Sequence, residues 1–162
     1  MTNPDTDKTS PIISYRGKVL PEWIDWNGNM NVAYYVMAFD LATDALFDQL
    51  NMGKAYREGT NCSTFTLELH VNYLNEIHEG ETFEVRSHIL GVDRKRLHIF
   101  HDMVHVDTGK QVATNENMLI YIDMGKRRSA PFPDDLRERL QRVAGAHSTL
   151  ERPANAGRSI GF

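Results

Sequence analysis

The run Asp25-Trp-Asn-Gly-Asn-Met-Asn31 puts a carboxylate, a tight turn and a helix start within seven residues. A helix start presents backbone N–H groups with no intrahelical acceptor, and its dipole favours negative charge. A carboxylate beside such groups supplies the two parts that acyl transfer needs. One drives attack on a carbonyl, and the other holds the oxyanion that forms. Asp25 is the candidate base or nucleophile; its plainer use is an Asx-turn or a cap. Asn31 is a favoured N-cap residue.

The helix that must position this turn runs from Asn31 to Met52 without Gly or Pro. Val32, Val36, Phe39, Thr43, Leu46 and Leu50 recur at spacings of four and three, which is one helical face. Tyr35, Ala42 and Phe47 widen it, and Gly53 supplies the stop. About 20 helical residues span roughly 30 Å, the width of a small domain. Asp40, Asp44 and Asp48 form an acidic row that reads as a solvated face. Asp40 lies two to three turns from the helix start and is the one of the three to follow.

The flanking chain supplies strands. Ile12 to Leu20 reads as a short first strand, and Lys54 to Asn61 as a polar connection. Ser63–Leu74 alternates Phe65, Leu67, Leu69, Val71 and Tyr73 against Thr64, Thr66, Glu68, His70 and Asn72, a period of two. Thr82–Gly91, Arg96–Asp107 and Gln111–Asp123 follow, joined by short turns at Glu79-Gly-Glu, Asp93-Arg-Lys and Thr108-Gly-Lys. Short turns imply antiparallel neighbours. The last strand carries Val112, Met118, Ile120 and Ile122 on one face. Asp134–Val143 reads as a short charged helix. Residues 1–11 read as a loose tail, 12–144 as one domain and 145–162 as a disordered tail.

Composition narrows the class. With 162 residues, 41% hydrophobic and 25% charged, the chain is an ordinary globular domain. A net charge of −4 argues against a nucleic-acid partner. The single cysteine, Cys62, rules out an internal disulfide and a cysteine-only zinc site. The first residues lack the apolar core of a secretory signal, and no run is long enough to span a membrane. A cytoplasmic location is the expectation. His101 and His105 are four apart in a strand run, about 13 Å, so no metal is expected between them.

The element order, one long early helix and an antiparallel meander, resembles the hotdog fold. That is an α+β architecture in which a five-stranded sheet wraps a central helix, here with a short C-terminal helix added. Asp25-Trp-Asn-Gly-Asn-Met-Asn31, then Val-Ala-Tyr-Tyr35, resembles the 4-hydroxybenzoyl-CoA thioesterase family. Its pattern is Asp, a few residues, His, one residue, Asn, then an aromatic. Val71-Asn-Tyr-Leu-Asn-Glu-Ile-His-Glu-Gly-Glu81 matches the family's second-strand exit. Within the family, Glu22 to Phe47 looks most like the betainyl-CoA thioesterases of carnitine breakdown.

The resemblance implies hydrolysis of an acyl-CoA, with no metal or cofactor; coenzyme A is part of substrate and product. It implies Asp25 as nucleophile or general base and the backbone N–H of Val32 as oxyanion donor. Asn29 stands where most relatives have His. It cannot exchange protons near neutral pH but can donate from its amide. Trp26, Asn31, Tyr34, Tyr35, Asp40, Thr66 and Glu68 are candidate substrate contacts. Some of Trp23, Trp26, Tyr34 and Tyr35 could form an aromatic cage for a trimethylammonium group. Arg94-Lys95-Arg96 and Arg128 are candidates for the CoA phosphates, or else solvated turn charges. The helix is apolar around more than one sheet can cover, so a homodimer or homotetramer is expected. The rival readings are a thioesterase acting on acyl carrier protein and a non-catalytic acyl-CoA-binding protein.

Overall fold

The computed structural model describes residues 10–162, so residues 1–9 of the expected tail lie outside the described residues. Strand β1 (Ile12–Lys18) leads through a 3-10 turn at Pro21–Trp23 to helix α1 (Val32–Gln49). Asn31 caps α1 as expected, its side chain accepting from the Ala33 N–H. The stop is not Gly53. Asn51 takes a left-handed φ of 55° and ends the helix earlier, a conformation that Asn tolerates. Lys54–Thr60 is a short helix, α2, where a connection was expected.

Strands β2 (Cys62–Tyr73), β3 (Thr82–Val92), β4 (Arg96–His105) and β5 (Gln111–Asp123) follow. A two-residue β6 (Arg128–Ser129) pairs with the end of β5, and helix α3 spans Asp134–His147. The sheet is antiparallel, in the order β1-β3-β4-β5-β2. This is the hotdog arrangement that the resemblance implied, with β2 at an open edge.

Burial explains the assembly. Tyr35, Ala38, Phe39, Ala42, Leu46 and Phe47 of α1 are buried. The first half of the helix packs on Phe83, Val85 and Met103, and the second on Ile89, Leu97 and Ile99 with Leu136 and Leu140 of α3. These partners lie on β3, β4 and α3, with Val112, Ala113, Leu119 and Tyr121 of β5 in the same clusters, so α1 lies over the middle of the sheet rather than its β2 edge. A groove is left between α1 and the β5–β2 side of the sheet. Past α3, the Gly157 N–H donates to Glu116 Oε2 (2.7 Å), which ties residues 148–157 to β5.

β2 corrects the period-two reading. Its register against β5 shifts between Thr66 and Glu68, so Leu67 is an extra, bulged residue. Before the bulge Thr66 pairs with Leu119; after it Leu69 pairs with Asn117, and these four share the helix-facing side. Glu68 pairs with Met118 and His70 with Glu116 on the other face. Thr66 and Glu68 therefore do not share a face. On β5, Met118 and Ile120 of the apolar row do not meet the helix. The residues turned to α1 are Ala113, Asn115, Asn117, Leu119 and Tyr121, whereas Met118 and Ile120 lie on the outer side.

Candidate active site

The turn before α1 is built by local chemistry. Asp at the first position and Gly at the fourth suit a type I turn, and a following left-handed Gly closes a three-residue hairpin loop. The Gly28 N–H donates to Asp25 O (3.0 Å) and the Asp25 N–H to Asn29 O (3.0 Å). Gly28 has a φ of 83°, which a side chain would resist. The Asn31 N–H donates to Trp23 O (2.8 Å) and the Met30 N–H to Ile77 O (3.0 Å), fixing the turn to the domain.

Asp25 is half-buried in this turn. Its Oδ1 accepts from the Asn27 N–H at 2.8 Å, the Asx-turn that was the plainer reading. No partner is found for its second oxygen among the described residues. At the helix start Asn31 Oδ1 takes the Ala33 N–H (3.0 Å) and Asn31 O takes the Tyr34 N–H (3.0 Å). Among the described residues the Val32 N–H has no acceptor. Val32 as a residue is exposed. Asn31 itself is occupied as a cap.

Other groups close in from the exit of β2. Asn29 Nδ2 donates to Glu76 Oε1 at 3.4 Å. The Tyr73 hydroxyl donates to Val32 O at 3.2 Å. Tyr35 meets Tyr73 edge to face, with ring centroids 5.1 Å apart. Burial pushes the Tyr35 hydroxyl up to about 12, helped by Tyr73, Glu76 and the Asp25 charge. Tyr35 is thus a neutral donor within electrostatic reach of Asp25. Glu76 and Tyr73 were missed as individual residues. Their signal was the stretch from Val71 to Glu81, which carried only a motif match.

Three expected groupings are not made within one chain. Trp26 is 97% exposed at the tip of the turn, and Trp23 stacks on Tyr34 with centroids 5.4 Å apart. These rings satisfy one another, so no aromatic cage of Trp23, Trp26, Tyr34 and Tyr35 forms. Glu68 lies on the outer face, in a cavity with His98 and Glu116, and cannot share a pocket with Thr66. The basic residues lie far from Asp25. Lys95 Nζ reaches Ser129 Oγ (3.2 Å), which brings the Arg94–Arg96 turn beside Arg128. Arg96 pairs with Ile120 across the ladder, while Tyr73, next to Val32, pairs with Ala113. The β5 span between them is roughly 24 Å at the usual rise. Arg96 is also paired with Asp93 at 2.7 Å.

The groove beside α1 does collect expected residues. Ala33, Val36, Met37, Asp40 and Thr43 form one wall, with Thr66, Leu69, Asn115 and Asn117 opposite, around a cavity of about 310 Å3. Its lining begins at Ala33, the residue after Val32. Asp40 and Thr66 were expected here; Asn115 and Asn117 were not. The site thus offers a carboxylate, an unpaired helix-start amide and a small pocket running along the helix.

A model of the thioesterase-like superfamily matches residues 19–140. The chain is 41% identical over 151 residues to the betainyl-CoA thioesterase of Pseudomonas aeruginosa, covering 93% of this chain and 95% of that one. It is 31% identical over 155 residues to the L-carnitine dehydrogenase/betainyl-CoA thioesterase of Rhizobium meliloti, covering 96% of this chain and 31% of that longer one. A Staphylococcus aureus protein solved in complex with CoA superposes with a TM-score of 0.86 at 28% identity, covering 94% of this chain and 97% of the other. The DHNA-CoA thioesterase of Staphylococcus aureus, at 18% identity, shares the fold with a TM-score of 0.75 over 83% of this chain and 92% of its own. Matched in sequence and in fold over most of its length, the chain belongs to the thioesterase-like superfamily.

Proposed function

We propose that this chain hydrolyses betainyl-CoA to glycine betaine and coenzyme A, in the cytoplasm and without a metal or cofactor. The observation that carries the reading is the unpaired Val32 N–H at the start of α1, a few residues from the half-buried Asp25. The identity to the Pseudomonas aeruginosa enzyme supports the acyl group, and the likeness to the CoA-bound structure supports the carrier.

The chemistry follows from these groups. The thioester carbonyl oxygen sits on the Val32 N–H, where the helix dipole favours the charge it develops. Asp25 takes a proton from a water that attacks the carbonyl carbon, or attacks that carbon itself. A C–O bond forms, the C–S bond breaks, and the sulfur leaves as a thiolate that receives the proton. In the direct-attack variant no proton has been taken when the thiolate leaves, and the water that then hydrolyses the resulting anhydride supplies it. Asn29, held by Glu76, orients the carbonyl or the water through its amide. The neutral Tyr35 hydroxyl donates nearby.

The chain works as a homodimer or a higher homo-oligomer. Pairing of β2 with the β2 of a second copy, antiparallel, puts the far end of one sheet beside the near end of the other. The basic turn of the second copy, Arg94, Lys95 and Arg96 with Arg128, would then lie near this Asp25 and meet the CoA phosphates. Phe65, Leu67 and Tyr73 are exposed along the open edge, which supports such pairing.

A thiol-release assay over a panel of acyl-CoAs and acyl-carrier-protein thioesters tests the proposal. Betainyl-CoA should give the highest kcat/KM. Faster release from an acyl carrier protein, or binding of betainyl-CoA without thiol release, would contradict it.

A further inference from the structure

The groove beside α1 holds two buried amides with unmet hydrogen-bonding capacity. Asn115 and Asn117 are two apart on β5 and face the helix, 2% and 3% exposed. Neither Oδ1 accepts a hydrogen bond. A buried acceptor left unpaired is costly, and two sit side by side here. Asp40 lies on the opposite wall and enters none of the ion pairs of the described residues. The Thr43 hydroxyl is already engaged by Phe39 O (2.9 Å) and His101 Nε2 (3.0 Å). The rest of the lining is Ala33, Val36, Met37, Leu69 and Thr66, with no Lys, Arg or His.

This lining is rich in oxygen, carries one negative charge and has apolar walls. An amide exchanges its oxygen and nitrogen by a half-turn about its last torsion, so each Asn can turn an oxygen to the cavity. The chemistry suits a cation, and the apolar walls suit one that carries methyl groups. Its charge is met by Asp40 and the amide dipoles, and its methyls by the apolar walls and weak C–H contacts to oxygen.

Position agrees. Asp40 is eight residues past Val32, roughly 12 Å along the helix axis, and its side chain leans back toward the helix start. In a betainyl thioester the quaternary nitrogen is two bonds of about 1.5 Å from the carbonyl carbon. With the carbonyl oxygen on the Val32 N–H, an acyl group laid along the helix points its trimethylammonium toward Asp40. The geometry points to a cation-accepting acyl pocket in which Asp40, Asn115 and Asn117 select the trimethylammonium end over a neutral group of the same shape. The inference rests on the betainyl-CoA reading above and replaces the aromatic cage that does not form.

The test compares betainyl-CoA with 3,3-dimethylbutyryl-CoA, its uncharged isostere, on wild type and on Asp40→Asn, Asn115→Leu and Asn117→Leu. The readout is the ratio of the two kcat/KM values. It should favour betainyl-CoA in wild type and fall tenfold or more in Asp40→Asn and severalfold in each Asn variant. Competitive inhibition by tetramethylammonium, weakened in Asp40→Asn, gives a second readout for any variant of low turnover. A wild-type preference that all three variants keep, with unchanged inhibition, overturns the pocket assignment alone. A wild type that releases thiol no faster from betainyl-CoA than from the isostere overturns the substrate reading and the pocket with it.

Discussion

His101 shows how a single side chain fixes a condition for the fold. It is fully buried between Ser87 Oγ (2.7 Å from Nδ1) and Thr43 Oγ1 (3.0 Å from Nε2), and Ser14 extends the chain at 2.7 Å. A neutral ring has one donor and one acceptor to offer this chain, and burial pushes its pKa down to about 3. The unfolded chain takes up this proton below about pH 6.5, while the folded one resists until near 3. Stability therefore falls as pH drops through that window, by at most about 1.4 kcal/mol per pH unit from this residue. His147, lowered to about 4 chiefly by burial, acts in the same direction. Urea midpoints should be lower at pH 5 than at pH 7, and His101→Gln should narrow that difference; an unchanged difference would rule His101 out as a source. At this scale Asp25, Gly28 and Asn31 were legible, because turn and cap chemistry is local. Asn115 and Asn117 were not. Met118, Ile120 and Ile122 advertised an apolar face, and only the ladder shows that the helix meets the other one.

The bulge at Leu67 is an element-scale device with a functional effect. It turns Thr64 and Thr66 toward α1 while Glu68, His70 and Asn72 face outward. No Gly or Pro marks it in the sequence, so unbroken alternation was the natural reading. Deleting Leu67 would leave Thr66 opposite Leu119 and Glu68 opposite Met118 in regular alternation, so the rest of β2 keeps its faces and only the bulge is lost. Thr66→Phe instead fills the groove from β2 without changing the register. That variant should keep its sheet by circular dichroism yet lose most thiol release; normal turnover would show that the groove is not used. The end of α1 carries a related lesson. Gly53 was the expected stop, but Asn51 adopts the left-handed turn first, and Lys54–Thr60 then has room to form α2 despite Gly59. Strand order and the long helix were legible from turn spacing and periodicity; the bulge and the short helix depend on tertiary contacts.

At the scale of the molecule, α1 lies over β3, β4 and β5 and touches β2 only near Tyr73, leaving the β2 edge open. An open edge with exposed Phe65 and Leu67 invites pairing with a second copy. Light scattering should give a dimer or a multiple of it, and the double change Phe65→Lys, Leu67→Lys should lower the mass and the turnover together. Full activity in a monomer would exclude a site shared between copies. The assembly was foreseeable only as excess apolar surface on the helix; the edge that uses it became visible with the strand order. What every scale serves is one carboxylate beside one free amide. Thiol release from betainyl-CoA by Asp25→Asn, with CoA binding followed in parallel, measures that most directly. The account predicts a fall in kcat of at least a thousandfold with CoA affinity and thermal midpoint near wild type, because the Asn side chain can still accept the Asn27 N–H. Turnover within tenfold of wild type would contradict it.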